Sequence, residues 1–90
     1  MAIALMISIP GVTQEQYDQV VEGVGEPRLG EGQVSHLAGP SADGWCVVDV
    51  WESRADFDRF MADRLGEQLQ RAGWTEPQIT EFAVYREDRR

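Results

Sequence analysis

An α+β fold with the element order β-α-β-β-α-β is predicted for this chain, and three observations predict it. Apolar residues alternate near both ends and in the middle, as in strands that border a core. Two intervening stretches repeat apolar residues at three- and four-residue spacing, which marks one face of a helix. Pro-Gly, Gly-Pro and Asp-Gly pairs punctuate the boundaries. The 90 residues are expected to form one domain, 1–90.

Residues 2–9 begin the order. Ile3, Leu5, Ile7 and Ile9 fall on one face and Ala4, Met6 and Ser8 on the other. Pro10-Gly11 ends the strand. Thr13 and Gln16 have the spacing of a capping box. Tyr17, Val20, Val21 and Val24 then form a helical stripe, and Gly25-Glu26-Pro27 stops it. "VSHLAG" and "WCVVDVW" flank the turn "GPSADG" and predict a β-hairpin. Ser53 is placed to cap a second helix with a stripe of Phe57, Phe60, Met61, Leu65 and Leu69, ended by a left-handed Gly73. After "WTEPQ", residues 79–85 alternate again, with Ile79, Glu81, Ala83 and Tyr85 on one face. With right-handed crossovers this order gives the ferredoxin-like arrangement, four antiparallel strands with two helices on one face.

Charge narrows the function. Sixteen acids stand against eight arginines and no lysine, a formal charge of −8. Nucleic acid and anionic membranes both select a basic face, so neither is an expected partner. The opening 14 residues are uncharged, shorter than the roughly 20 that a membrane span needs. No Lys or Arg precedes Arg28, as a secretory leader would require, so a cytoplasmic protein is expected. A single cysteine, Cys46, cannot form an internal disulfide, and no Cys/His spacing suggests a metal site. The sheet face away from the helices would carry Cys46, Val48 and Val50, and an apolar face of that kind calls for a partner. A second copy, sheet against sheet, would cover it.

"GWCVVDVWESRADFDRF" carries a resemblance. A strand ending in Trp-Glu-Ser runs into a helix with an aromatic residue six positions after the tryptophan. The chain here resembles the dimeric α+β barrel proteins, especially the antibiotic-biosynthesis-monooxygenase-like group, and "SHLAGP" resembles a small uncharacterised subgroup. The resemblance implies a homodimer with a small cavity in each subunit between sheet and helices. It also implies a range of activities, from cofactor-free oxygenation of polyketide phenols through polyketide cyclisation and haem degradation to none known. Trp51 matches the cavity tryptophan of the oxygenases, Phe57 stands where they have tyrosine, and Val47 where some have asparagine. The second helix lacks the axial histidine of the haem-degrading members.

His36 is the only histidine, so any imidazole chemistry must use it. A hairpin centred near Ala42 sets it opposite Val48 or Asp49, and a one-residue slip decides between them. Opposite Asp49, the carboxylate would orient the ring and leave the other nitrogen as a base. The alternative is a half-buried histidine bonded to backbone. Asp49 shares a strand face with Val47 and Trp51. It is either a cavity-facing carboxylate in need of a partner or an edge acid. Trp51, Phe57, Val47, Phe60 and Tyr85 are the candidate walls of a pocket for a planar ligand, with plain core packing the competing assignment. Tyr17 is expected to send its hydroxyl to water. Trp74 is placed as a lid or a dimer contact.

The expected function is therefore a homodimer that binds a small apolar or aromatic molecule without a cofactor, with His36 and Asp49 as catalytic candidates for monooxygenase-like proton abstraction. The alternative is a structural or ligand-sensing barrel, or a cyclase-like protein.

Overall fold

Residues 2–74 and 77–90 are described by the computed structural model. Met1, and Thr75 and Glu76 of the "WTEPQ" loop, lie outside the described residues. The elements are β1 (Ile3–Pro10), α1 (Gln14–Val24), β2 (Gln33–Pro40), β3 (Gly44–Trp51), α2 (Arg54–Phe60), a π-helical segment (Met61–Leu65), α3 (Gly66–Ala72) and β4 (Gln78–Ala83). The strands form one antiparallel sheet in the order β2-β3-β1-β4. This is the ferredoxin-like order that the sequence predicts.

Local chemistry sets the boundaries. The Thr13 hydroxyl accepts from the Gln16 N–H, and the Gln16 side chain accepts from the Thr13 N–H, which closes the capping box at the head of α1. Gly25, at φ 76°, ends that helix. Ser53 accepts from the Asp56 N–H and starts α2. Gly73 adopts the left-handed C-cap at φ 68°. The second helix, predicted as one α-helix, runs unbroken from α2 to α3 but widens to a π-turn at Met61–Leu65. Such turns carry no strong composition signal.

Cross-strand pairing sorts the two faces. Leu5 stands opposite Asp49, Ile7 opposite Val47 and Ile9 opposite Trp45, all on the helix side. Leu5, Ile7, Ile9, Val12, Trp45, Val47, Trp51 and Phe57 make the buried core. Met6 and Leu37 flank Val48 on the opposite face, and Phe82 pairs with Ala4 there. That face is open: Met6 is 47%, Leu37 68% and Phe82 50% exposed.

One ion pair and a clamp tie the elements together, and a second ion pair lies within α2. Arg54 of α2 bonds Glu81 of β4. Arg64, in the π segment, donates to the carbonyls of Val24, Gly25 and Pro27, with the Pro27 bond 2.5 Å long. It thereby holds the end of α1 and the following loop against the second helix. Arg59 pairs with Asp56 one turn away.

Candidate functional site

The β2–β3 register places His36 opposite Asp49. Both side chains turn toward the helices, and His36 Nδ1 lies 2.6 Å from Asp49 Oδ1. The Asp49 side chain is 9% exposed and that of His36 33%. A carboxylate can only accept, so Nδ1 carries the proton and donates it. In the neutral ring Nε2 then presents a lone pair. That lone pair is engaged: the Tyr17 hydroxyl on α1 lies 2.6 Å from Nε2 and donates to it. Three groups from three elements therefore form one chain of hydrogen bonds, Tyr17 to His36 to Asp49.

Ring packing holds the chain in place. The Tyr17 ring stacks on Trp45, with centroids 5.1 Å apart, and lies within 8° of parallel to the His36 ring. Burial and the nearby Asp49 and Asp18 carboxylates push the Tyr17 pKa up, with Arg28 opposing. The phenol thus stays protonated at neutral pH and remains a donor.

Beside this chain lies a cavity of about 160 Å³ between the sheet and the helical layer. Ile7 and Ile9 of β1 form its floor, Val21 and Val24 of α1 one wall, and Phe60, Met61 and Leu65 of the second helix another. Tyr17, His36, Asp49, Gln33 and Arg28 supply the polar part of the lining. An engineered apolar cavity of ~150 Å³ holds benzene, so the volume suits a single ring.

The predicted pocket residues separate into two groups. Val47 and Phe60 line the cavity together with His36 and Asp49. Trp51 and Phe57 do not. Trp51 is 0% and Phe57 3% exposed, and they meet edge to face at 5.7 Å in the core. Trp51 also packs on Phe60 at 5.4 Å, one layer behind the cavity wall. Tyr85 is corrected outright: it is 96% exposed. β4 ends at Ala83, and Val84 N–H bonds Ala2 O just ahead of β1, so the alternation runs past its partner strand. Trp74 lines the cavity from the loop after α3. Tyr17, expected to reach water, bonds His36 instead. The available signal was its place at the head of the buried stripe of α1. Among the described residues, no three His, Cys, Asp or Glu side chains are grouped to hold a metal ion.

The fold, a four-stranded antiparallel sheet with its helices on one face, recurs in solved structures. Among solved structures the chain is similar to the NE2512 protein of unknown function from Nitrosomonas europaea, with a TM-score of 0.74 at 13% identity over 99% of this chain and 94% of that one. It is also similar to a candidate antibiotic biosynthesis monooxygenase from Deinococcus radiodurans, with a TM-score of 0.67 at 14% identity over 99% and 97% of the two chains. SnoaB, a cofactor-independent oxygenase from Streptomyces nogalater, matches with a TM-score of 0.67 at 13% identity over 96% and 94%. At these identities the likeness concerns the fold. No family model matches the sequence, and no curated protein does. Among the described residues, no helix is long and apolar enough to cross a membrane.

Proposed function

We propose that this chain is a one-domain cytoplasmic homodimer whose subunits each bind a small apolar or aromatic molecule between sheet and helices. Its chemistry would be cofactor-free, monooxygenase-like proton abstraction, with Asp49 orienting His36 as the base. One observation carries this: an apolar, ring-sized cavity has a hydrogen-bonded histidine–carboxylate pair in its wall. Such a pair is the usual equipment of a general base. It would supply the proton acceptor that Val47 and Phe57 cannot. The homodimer is supported by the open face around Met6, Val48, Leu37 and Phe82, which a second copy would bury.

The ligand is expected to be neutral. Asp49 leaves one negative charge in the wall, and Arg28 at the rim is committed to Glu26 at 3.3 Å. A non-catalytic, ligand-holding role is favoured by one specific observation, the engagement of Nε2 by Tyr17.

Thermal unfolding with toluene and with p-cresol tests the cavity. A ligand at 100 times its Kd adds about 2.7 kcal/mol to stability. Both should raise the wild-type midpoint and neither should raise that of Val21→Phe, whose ring would fill the space. If neither compound moves the wild-type midpoint near its solubility limit, the cavity is not a ligand site.

A further inference from the structure

We propose that Tyr17, rather than His36, is the acid–base group that meets a bound ligand, as the outer end of a relay that passes a proton to His36, itself held by the buried Asp49. The inference rests on the cavity being a ligand site. Its own ground is geometric. His36 Nε2 is the only ring nitrogen free of Asp49, and the Tyr17 hydroxyl occupies its lone pair at 2.6 Å. A ligand could reach Nε2 directly only by expelling a ring held against Trp45. The Tyr17 oxygen gives its one proton to Nε2 and keeps its lone pairs as acceptors, and Tyr17 itself lines the cavity. The accessible acceptor in the wall is thus a phenol oxygen backed by an imidazole and a carboxylate.

The step balances without an oxidant. A ligand X–H, such as a phenol or an enol, gives its proton to Tyr17 Oη, and the X–H electron pair stays on X. The original Tyr17 proton passes to His36 Nε2. The result is a ligand anion, a neutral Tyr17 and an imidazolium paired with the Asp49 carboxylate. Tyr17 remains a phenol before and after, in keeping with the upward push on its ionisation from burial and from Asp49 and Asp18. The relay selects a neutral, single-ring hydroxyaromatic or enol, because the cavity admits about one ring and an anion would meet the Asp49 charge.

Two measurements test this, and the sequence helps: one histidine gives one imidazole spectrum. Nitrogen-15 NMR is recorded at a pH at which the spectrum itself shows the ring to be neutral. The wild type should carry its proton on Nδ1 and show Nε2 as a hydrogen-bonded acceptor. Tyr17→Phe should keep the proton on Nδ1 and move Nε2 toward the shift of an unbonded lone pair. A wild-type proton on Nε2 overturns the relay without touching the cavity, and this arm stands even if Tyr17→Phe fails to fold.

The second arm compares p-cresol with toluene, which differ by one hydroxyl. The wild type should prefer p-cresol about tenfold, equivalent to about 1.4 kcal/mol. Tyr17→Phe should lose that preference, read as the ratio of its p-cresol affinity to its toluene affinity. If the preference survives in Tyr17→Phe, the relay is wrong and the ligand site stands. If the wild type binds neither compound, the ligand site fails and the relay fails with it.

Discussion

Replacing His36 by alanine should destabilise the protein, and replacing Asp49 as well should restore part of the loss. Among the described residues, His36 Nδ1 is the one hydrogen-bond donor to the Asp49 side chain. The carboxylate sits at 6% residue exposure, with Leu5 opposite and Val47 and Trp51 beside it on the same face. A hydrogen bond to a charged group contributes ~1.5–3 kcal/mol, and an unpaired buried partner loses its desolvation energy as well. His36 is one-third exposed, so alanine would open a path for water to Asp49 and soften the penalty. The expected cost of His36→Ala is therefore about 2 kcal/mol, near the lower end. For a domain of this size that lowers the midpoint by roughly 8–16 °C. His36→Ala/Asp49→Val removes the orphaned charge and places a methyl pair among apolar neighbours. It should recover about 1 kcal/mol or more relative to His36→Ala alone. Urea unfolding followed by tryptophan fluorescence reads both values, at one fixed protein concentration because association shifts apparent stability. A His36→Ala variant within ~0.5 kcal/mol of wild type, which is ordinary for an unremarkable surface change, would show that the pair is not coupled. A double variant no better than the single would refute the account of Asp49 as an orphaned charge.

Three other outcomes are expected. Val48→Arg puts a charge between Met6 and Leu37 and should leave the proposed homodimer as monomer in sedimentation; a wild type that is already monomeric at micromolar concentration refutes the sheet-to-sheet dimer. Gly30→Ala would set its Cβ 2.5 Å from Phe60 Cδ1 and 2.9 Å from Trp51 Cη2, and overpacking of this kind costs about 1–3 kcal/mol, so an unchanged urea midpoint would contradict the packing. Tyr17 should ionise above its ordinary 10.0, as the difference in tyrosinate absorbance between wild type and Tyr17→Phe during an alkaline titration will show. Because the folded state holds that proton more tightly, its contribution to stability is complete below pH 10.0 and is lost as pH rises through the folded value; a Tyr17 step at or below 10.0 would be the wrong sign.

Much of this was legible in the sequence because strand alternation and helical periodicity record which side faces a core. "WCVVDVW" alone separates Trp45, Val47, Asp49 and Trp51 from Cys46, Val48 and Val50, and the burial pattern of β3 follows that division. Periodicity is silent on depth, however. Trp51 shares the helix-facing side with Val47 and meets Phe57 of α2, yet it packs behind the cavity wall against Phe60. Alternation also continues past the point where pairing stops, which is why Tyr85 resembled a strand residue. The Tyr17–His36 bond joins residues 19 apart on a helix and an edge strand. Only the docking of α1 over β2 sets that distance, and no local pattern encodes it.

The register that brings His36 to Asp49 has an identifiable anchor. A β-carbon on Gly44 would lie 2.4 Å from Ile9 O and 2.5 Å from Gly11 N, so the head of β3 is wedged against the turn that ends β1. Gly11 N–H donates to Asp43 O at 2.8 Å, which ties the two turns together. Ser41 and Gly44 exchange backbone bonds at 3.0 and 3.4 Å and close the hairpin. With Gly44 fixed against β1 and the hairpin closed at Ser41, the count along each strand leaves His36 one partner, Asp49. A slip by one residue would put His36 across from Val48 on the open face and turn Leu37 inward toward the helices. Asp49 would then be buried without a donor, a penalty of the same order as that of His36→Ala. The "DG" of the turn thus does more than reverse the chain. It makes the slipped hairpin sterically and electrostatically unfavourable, and so it positions a hydrogen-bond chain that begins some distance away on α1.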